Sequence, residues 1–234
     1  MVDPREVVGG RETAAALVVG VPAVLLSVAV IGYAAEAYLA KQLFTNLVLG
    51  LALVTYFLDR GRRAMAEPGD ARFPLGLALA AILLAAVSVL SVAYVHVSFE
   101  RWLETGSMLI YTNVDLLVGA LLIVLVTLVT ADKFGRVLGA LVVVTVLYGV
   151  GGPYLPGIFR HGGISLETIV FKNTIALQGV YGFLTQIAAT WVAIFVIFAG
   201  IVRMFGGFDL IMDLTERLEG TFRGAVPQTA VVSS

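Results

Sequence analysis

Gly151-Gly152-Pro153-Tyr154-Leu155-Pro156-Gly157 stands between two apolar runs. Two prolines set among glycines cannot continue a helix, so the apolar run Val137 to Val150 must stop there. Downstream, Phe159-Arg160-His161-Gly162-Gly163 leads into an amphipathic run, Ser165 to Val180. Ser165 suits the N-cap of that helix, with Glu167 in its first turn. A long apolar span, Phe183 to Phe205, comes next, followed by a charged segment from Asp209 to Arg223.

The whole chain shares this apolar character. Of 234 residues, 59% are hydrophobic and only 13% charged, about half the charge of an ordinary soluble domain. That much apolar surface needs a lipid bilayer. The net charge of −1 gives no nucleic-acid signal. There is no cysteine, which excludes disulfides, thiolate metal sites and cysteine nucleophiles.

Working outward, six spans are expected, near Thr13–Ala35, Leu43–Leu58, Phe73–Phe99, Val114–Thr130, Val137–Val150 and Phe183–Phe205. Pro22 predicts a kink or ragged first turn in the first span. Ala35-Glu36-Ala37 has the form of a leader-cleavage site. The long apolar run and the acids Asp3, Glu6 and Glu12 favour a retained helix instead. Thr45 and Asn46 suit helix–helix hydrogen bonds, and Tyr94 and Trp102 read as interfacial anchors. Asp115 suits the positive end of the fourth helix dipole. The short connector Ala131–Arg136 makes spans four and five antiparallel neighbours, and the Gly135-to-Gly139 spacing could let helices approach closely. Two amphipathic helices complete an all-α integral membrane fold. Ser165–Val180 is expected on the outer surface and Phe208–Leu218 on the inner.

Basic residues set the orientation. With the N-terminus inside, Arg5 and Arg11, Arg60, Arg62, Arg63 and Arg72, Lys133 and Arg136, and Arg203, Arg217 and Arg223 are cytoplasmic. Only Lys41, Arg101, Arg160 and Lys172 fall outside. Both termini are therefore expected in the cytoplasm of a multi-pass protein of the cell (inner) membrane.

Catalytic patterns are missing. His96 and His161 have no ligand cluster around them, and there is no zinc-binding His-Glu-x-x-His or nucleophile elbow. Gly149–Gly152 precedes no Lys-Ser/Thr, so it is turn chemistry rather than a phosphate cradle. Glu36, His96, Asp115 and Arg203 all fall at span ends, and Gln178 and Gln186 suit inter-helix hydrogen bonds. No enzyme activity, no cofactor and no catalytic, cofactor-binding or metal residue is expected within these spans, and the substrate-binding residues stay unknown.

The ordered set Gly152-Pro153-Tyr154-Leu155-Pro156-Gly157, His161-x-Gly163-x-Ser165-Leu166-Glu167, Gly179-Val180-Tyr181-Gly182, Ala189-Thr190 and Phe195 to Gly200 resembles TRAP-type transporters. It is most similar to the fused permeases of the TAXI branch, where small and large membrane subunits share one polypeptide. Asp213-Leu214, Phe222-Arg223-Gly224 and Thr229 to Ser234 also look like that family. The resemblance is strong over 149–234 and diffuse before it. Val129-Thr130-Ala131-Asp132-Lys133-Phe134-Gly135 departs from the family's usual pattern before the fifth span. So does Arg203-Met204-Phe205-Gly206-Gly207 after the sixth.

The resemblance implies a small-subunit-like four-helix bundle over 1–130 and the start of a large-subunit-like permease domain over 131–234. Ala230 to Ser234 would begin the first re-entrant hairpin, with the sodium and substrate contacts beyond it. The expectation is thus a membrane fragment or subunit of a sodium-coupled, binding-protein-dependent carrier of organic acids. It would supply scaffold rather than the substrate site. Its expected partners are an extracytoplasmic substrate-binding protein, the remainder of the large permease domain and the bilayer, with no nucleic acid. The outer connectors, including Gly152 to Lys172, are the expected docking region. The alternative is a stand-alone six-span protein with an assembly role and no transport.

Overall fold

The computed structural model describes residues 4–36, 39–66, 74–105 and 110–219, and every described regular element is helical. The chain forms two compact units, 1–190 and 191–234. The first holds α1 (Pro4–Ala35), α2 (Lys41–Ala66), α3 (Pro74–Thr105), α4 (Asn113–Lys133) and α5 (Arg136–Gly151). It also holds α6 (Leu166–Val170), a π turn (Phe171–Ile175) and α7 (Phe183–Ile187). The second holds α8 (Ala193–Met204) and α9 (Gly207–Glu219). The division expected near residue 130 is one of resemblance, which compactness does not address.

Six helical stretches are long and apolar enough to cross a bilayer: Leu17–Ala35, Lys41–Ala66, Pro74–Glu104, Asn113–Lys133, Arg136–Tyr154 and Leu166–Met204. The last spans the whole run from the amphipathic segment to the sixth expected span. Large apolar side chains are exposed along these helices, among them Val24 and Val28 on α1 and Leu141 and Val144 on α5, as suits contact with lipid. The chain is an all-α, multi-pass membrane protein.

α2 extends well past the expected Leu58, because its polar end stays helical. Asp59 pairs there with Arg62 at 3.0 Å and Arg63 at 2.7 Å, the spacing at which helix neighbours meet. α3 likewise runs beyond Phe99, carrying Arg101 and Trp102 on its last turns. α1 continues through Pro22 as one helix.

The α2–α3 pair is the spine of unit 1. On α3 the buried Ala78, Ala81, Ala85, Ser88, Val95 and Trp102 follow a seven-residue repeat, small at one end and large at the other. Where α3 is small, Gly61 of α2 lies against Ala78 and Ala81. Further along, a Cβ on Gly50 would stand 2.7 Å from Val92 Cγ2. Membrane helices gain little from hydrophobic exclusion of lipid, so such close contacts supply the cohesion. The Ser88 hydroxyl returns to the Leu84 carbonyl at 2.8 Å, which lets it be buried without an unmet donor.

α4 and α5 form the expected antiparallel hairpin across Phe134-Gly135. A Cβ on Gly139 would lie 2.5 Å from Ala131 Cβ, so the two helices touch closely there, as the glycine spacing indicates.

The Ser165–Val180 run differs from expectation. Ser165 caps α6, accepting from the Thr168 N–H at 3.2 Å, but the helix ends at Ile175 and Leu177 turns into φ 54°. Phe171, Thr174 and Ile175 are buried within unit 1, packed toward α4, so this part of the apolar face meets protein. Gly119 of α4 makes room, since a Cβ there would overlap Thr174 Oγ1. Amphipathicity marks an apolar face without saying whether lipid or protein covers it.

In unit 2, Gly206 at φ 72° turns the chain from α8 into α9. α9 has the expected amphipathic composition, with Asp209 in its first turn.

Candidate functional site: a braced turn beside a buried carboxylate

Chain direction places one end of unit 1 at the start of α2 and α4 and the end of α3 and α5. This rim end carries two polar constructions.

The first is built on Asp115. Thr112 is the N-cap of α4, and the two residues exchange hydrogen bonds as a capping box. The Asp115 N–H donates to Thr112 Oγ1 at 3.2 Å, and the Thr112 N–H donates to Asp115 Oδ2 at 2.7 Å. The end of α3 then closes over the same carboxylate. Arg101 grips it with both guanidinium nitrogens, at 2.8 and 2.6 Å. The Trp102 indole donates to Oδ1 at 2.9 Å and the Tyr94 hydroxyl at 3.0 Å. Asp115 is fully buried while the Arg101 side chain is 40% exposed, so the anion is held inside and the cation faces outward. Trp102 is therefore not an interfacial anchor. It is 1% exposed, inside a core with Val95, Val118, Leu122, Phe171, Ile175 and Tyr181.

The second construction is the turn that follows α5. Gly152–Tyr154 and Gly157–Phe159 are single 3-10 turns, with Gly157 at φ 60°. His161 braces them. Its N–H donates to the Gly152 carbonyl at 3.2 Å, and the Gly163 N–H donates to its Nδ1 at 3.1 Å. With Nδ1 an acceptor, Nε2 carries the proton and donates to the Tyr148 carbonyl at 3.1 Å. The imidazole fills the space where a Cβ on Gly152 would be, which accounts for that glycine. Ile164 N–H to Gly149 carbonyl, at 2.8 Å, closes the base. On this braced turn Tyr154 is 90% exposed, Ile158 93% and Phe159 59%.

Between these lies a structural knot. The Tyr181 hydroxyl donates to Asn46 Oδ1 at 2.9 Å, and Asn46 Nδ2 donates to the Val92 carbonyl at 3.0 Å. Gln186 Nε2 donates to the Tyr181 carbonyl at 2.8 Å. The interruption of helix between the π turn and α7 is thus pinned to α2 and α3. Asn46 makes the helix–helix bond expected of it, whereas Gln186 bonds locally, five residues back, rather than to another helix. Glu36, His96 and Gln178 are exposed and join neither construction; Arg203, in unit 2, is also exposed.

Tyr94, Arg101 and Trp102 share one face of α3, at i, i+7 and i+8, and Asp115 opens the next helix. Sequence reading treated these residues separately, although that spacing could have joined them. The Asn46–Tyr181 pair, 135 residues apart, leaves no local signal.

Among the described residues, no group of three or more His, Cys, Asp or Glu is placed to hold a metal. No protein-family model, curated protein or solved structure matches the chain.

Proposed function

We propose that this chain is the static membrane scaffold of a sodium-coupled, binding-protein-dependent TRAP-type carrier of organic acids, and that its rim end receives the extracytoplasmic binding protein. The observation that carries the proposal is the braced turn. The turn that opens the stretch resembling that family displays Tyr154, Ile158 and Phe159 on a backbone fixed by His161. A rigid apolar display loses little entropy on docking. The scaffold role draws support from the interior of unit 1. Among the described residues every buried polar side-chain atom has a hydrogen-bond partner, and the Asp115 carboxylate is fully engaged with its own structure. Sodium coupling and substrate contacts then belong to the remainder of the large permease domain. In this reading the rim faces outward, and both termini lie in the cytoplasm of the inner membrane.

The test is sodium-driven uptake of organic acids in proteoliposomes containing this chain, the rest of the large permease domain and the cognate binding protein. The expected result is uptake that needs all three and falls at least about 10-fold in Ile158→Glu, with folding unchanged. Uptake by this chain alone would overturn the scaffold role. Uptake indifferent to Ile158→Glu would overturn the docking role.

A further inference from the structure

A groove of about 740 Å³ runs between α4 and α5 and is closed toward the rim by α6 and the braced turn. It exists because α4 and α5 meet at Ala131 and Gly139, while α6 packs on α4 further along. Ile123 and Val126 form one wall, and Leu141, Val142 and Val146 the other. Thr127, Thr130 and Thr145 also line it, but each hydroxyl donates to the carbonyl four residues earlier on its own helix, at 2.7 to 2.8 Å. The walls therefore suit hydrocarbon better than water or a polar ligand. From Leu141 to Gly149 the groove follows α5 for about 12 Å, parallel to the helices, as a lipid chain would lie.

Past the groove's far end, beyond the Ala131–Gly139 contact, α4 and α5 carry two cations. Thr130 is about 4.5 Å along α4 from Lys133, and Leu141 about 7.5 Å along α5 from Arg136. The nearby carboxylates are already engaged. Asp59 holds Arg62 and Arg63, and Asp132 holds Arg60 at 3.4 Å and the Tyr56 hydroxyl at 2.6 Å. Lys133 stands over the Tyr56 ring, 5.2 Å from its centre, and Arg136 is exposed. Among the described residues neither cation has a carboxylate partner.

We infer that this groove is a binding site for an anionic phospholipid, with one acyl chain between α4 and α5 and the phosphate against Lys133 and Arg136. A zwitterionic headgroup would bring its own ammonium toward the same two cations and is disfavoured. The site is independent of transport. It would tie the α4–α5 hairpin to the leaflet at its basic end.

The test uses the full chain, purified and delipidated, with phosphatidylglycerol and phosphatidylcholine of identical acyl chains titrated separately by native mass spectrometry. Phosphatidylglycerol should bind at least about 10-fold more tightly. Lys133→Gln/Arg136→Gln should weaken it about 30-fold, at about 5-fold for each surface cation with some coupling. The charge-matched control Arg62→Gln/Arg63→Gln should retain it. Val142→Trp fills the groove with every charge intact and should abolish tight binding of both lipids. Arg136→Gln alone, at an exposed position, provides a variant with little folding risk. Equal affinity for the two lipids would overturn the inference. So would equal losses in the two double variants, or unchanged binding in Val142→Trp.

Discussion

Removing the Asp115 carboxylate should cost more than removing its Arg101 partner, and the structure gives both the order and the size. Asp115 is fully buried and accepts from Tyr94, Arg101, Trp102 and Thr112. In Asp115→Ala the Trp102 indole N–H, on a side chain only 1% exposed, loses its acceptor, at about 2 kcal/mol. The lost return bond from the Thr112 N–H adds about 1 kcal/mol, while Thr112 Oγ1 keeps the backbone N–H at position 115. The Arg101 guanidinium, 40% exposed, rehydrates and adds little. The total is about 3 kcal/mol. In Arg101→Gln the carboxylate keeps its Tyr94, Trp102 and Thr112 donors, so the loss should be about 1 to 2 kcal/mol. The two substitutions share the ion pair, so a double-mutant cycle should read a coupling between them rather than simple addition. Reversible unfolding in mixed micelles measures all four proteins. If Arg101→Gln equals or exceeds Asp115→Ala, or if Asp115→Ala costs less than about 1 kcal/mol, the carboxylate is not the centre of this construction.

Gly119→Leu should drive α6 off α4, because its side chain meets Thr174 and Val170, at about 2 to 3 kcal/mol. Adding Thr174→Ala should recover part of that loss in the same unfolding assay. Tyr181→Phe leaves Asn46 Oδ1 without the Tyr181 donor at a buried site and should cost about 1 to 2 kcal/mol, read as a lower thermal midpoint. His161→Ala removes the brace from the turn after α5, so trypsin should cut at the exposed Arg160 roughly 10-fold faster while the unfolding midpoint moves little. Unchanged cleavage would mean that the turn is fixed by its glycines and prolines alone.

Much of this fold can be read from residue patterns because bilayer thickness and apolar length are directly linked. The span count, the α4–α5 hairpin, the Ser165 cap and the stop at Gly151 all rest on local chemistry. What escaped depends on packing. The polar end of α2 remains helical through pairs that a hydropathy window does not register. The Ser165–Val180 segment shows its apolar face plainly, but only the three-dimensional fit with Gly119 reveals that part of this face packs on α4. Trp102 has the composition of an interfacial residue, and its burial follows from Asp115, whose other partners come from both sides of the α3–α4 connection.

Which way the rim faces decides whether a binding protein outside the cell could meet it. The chain has no native cysteine, so single cysteines report cleanly on topology. Tyr154→Cys and Ile158→Cys sit on the rim, and Phe134→Cys, at a side chain 72% exposed, marks the opposite turn. A membrane-impermeant maleimide applied to intact cells should label the first two at once, and Phe134→Cys only after permeabilisation. The reverse pattern, or labelling of all three from one side, would contradict an outward rim and with it the scaffold's proposed docking role.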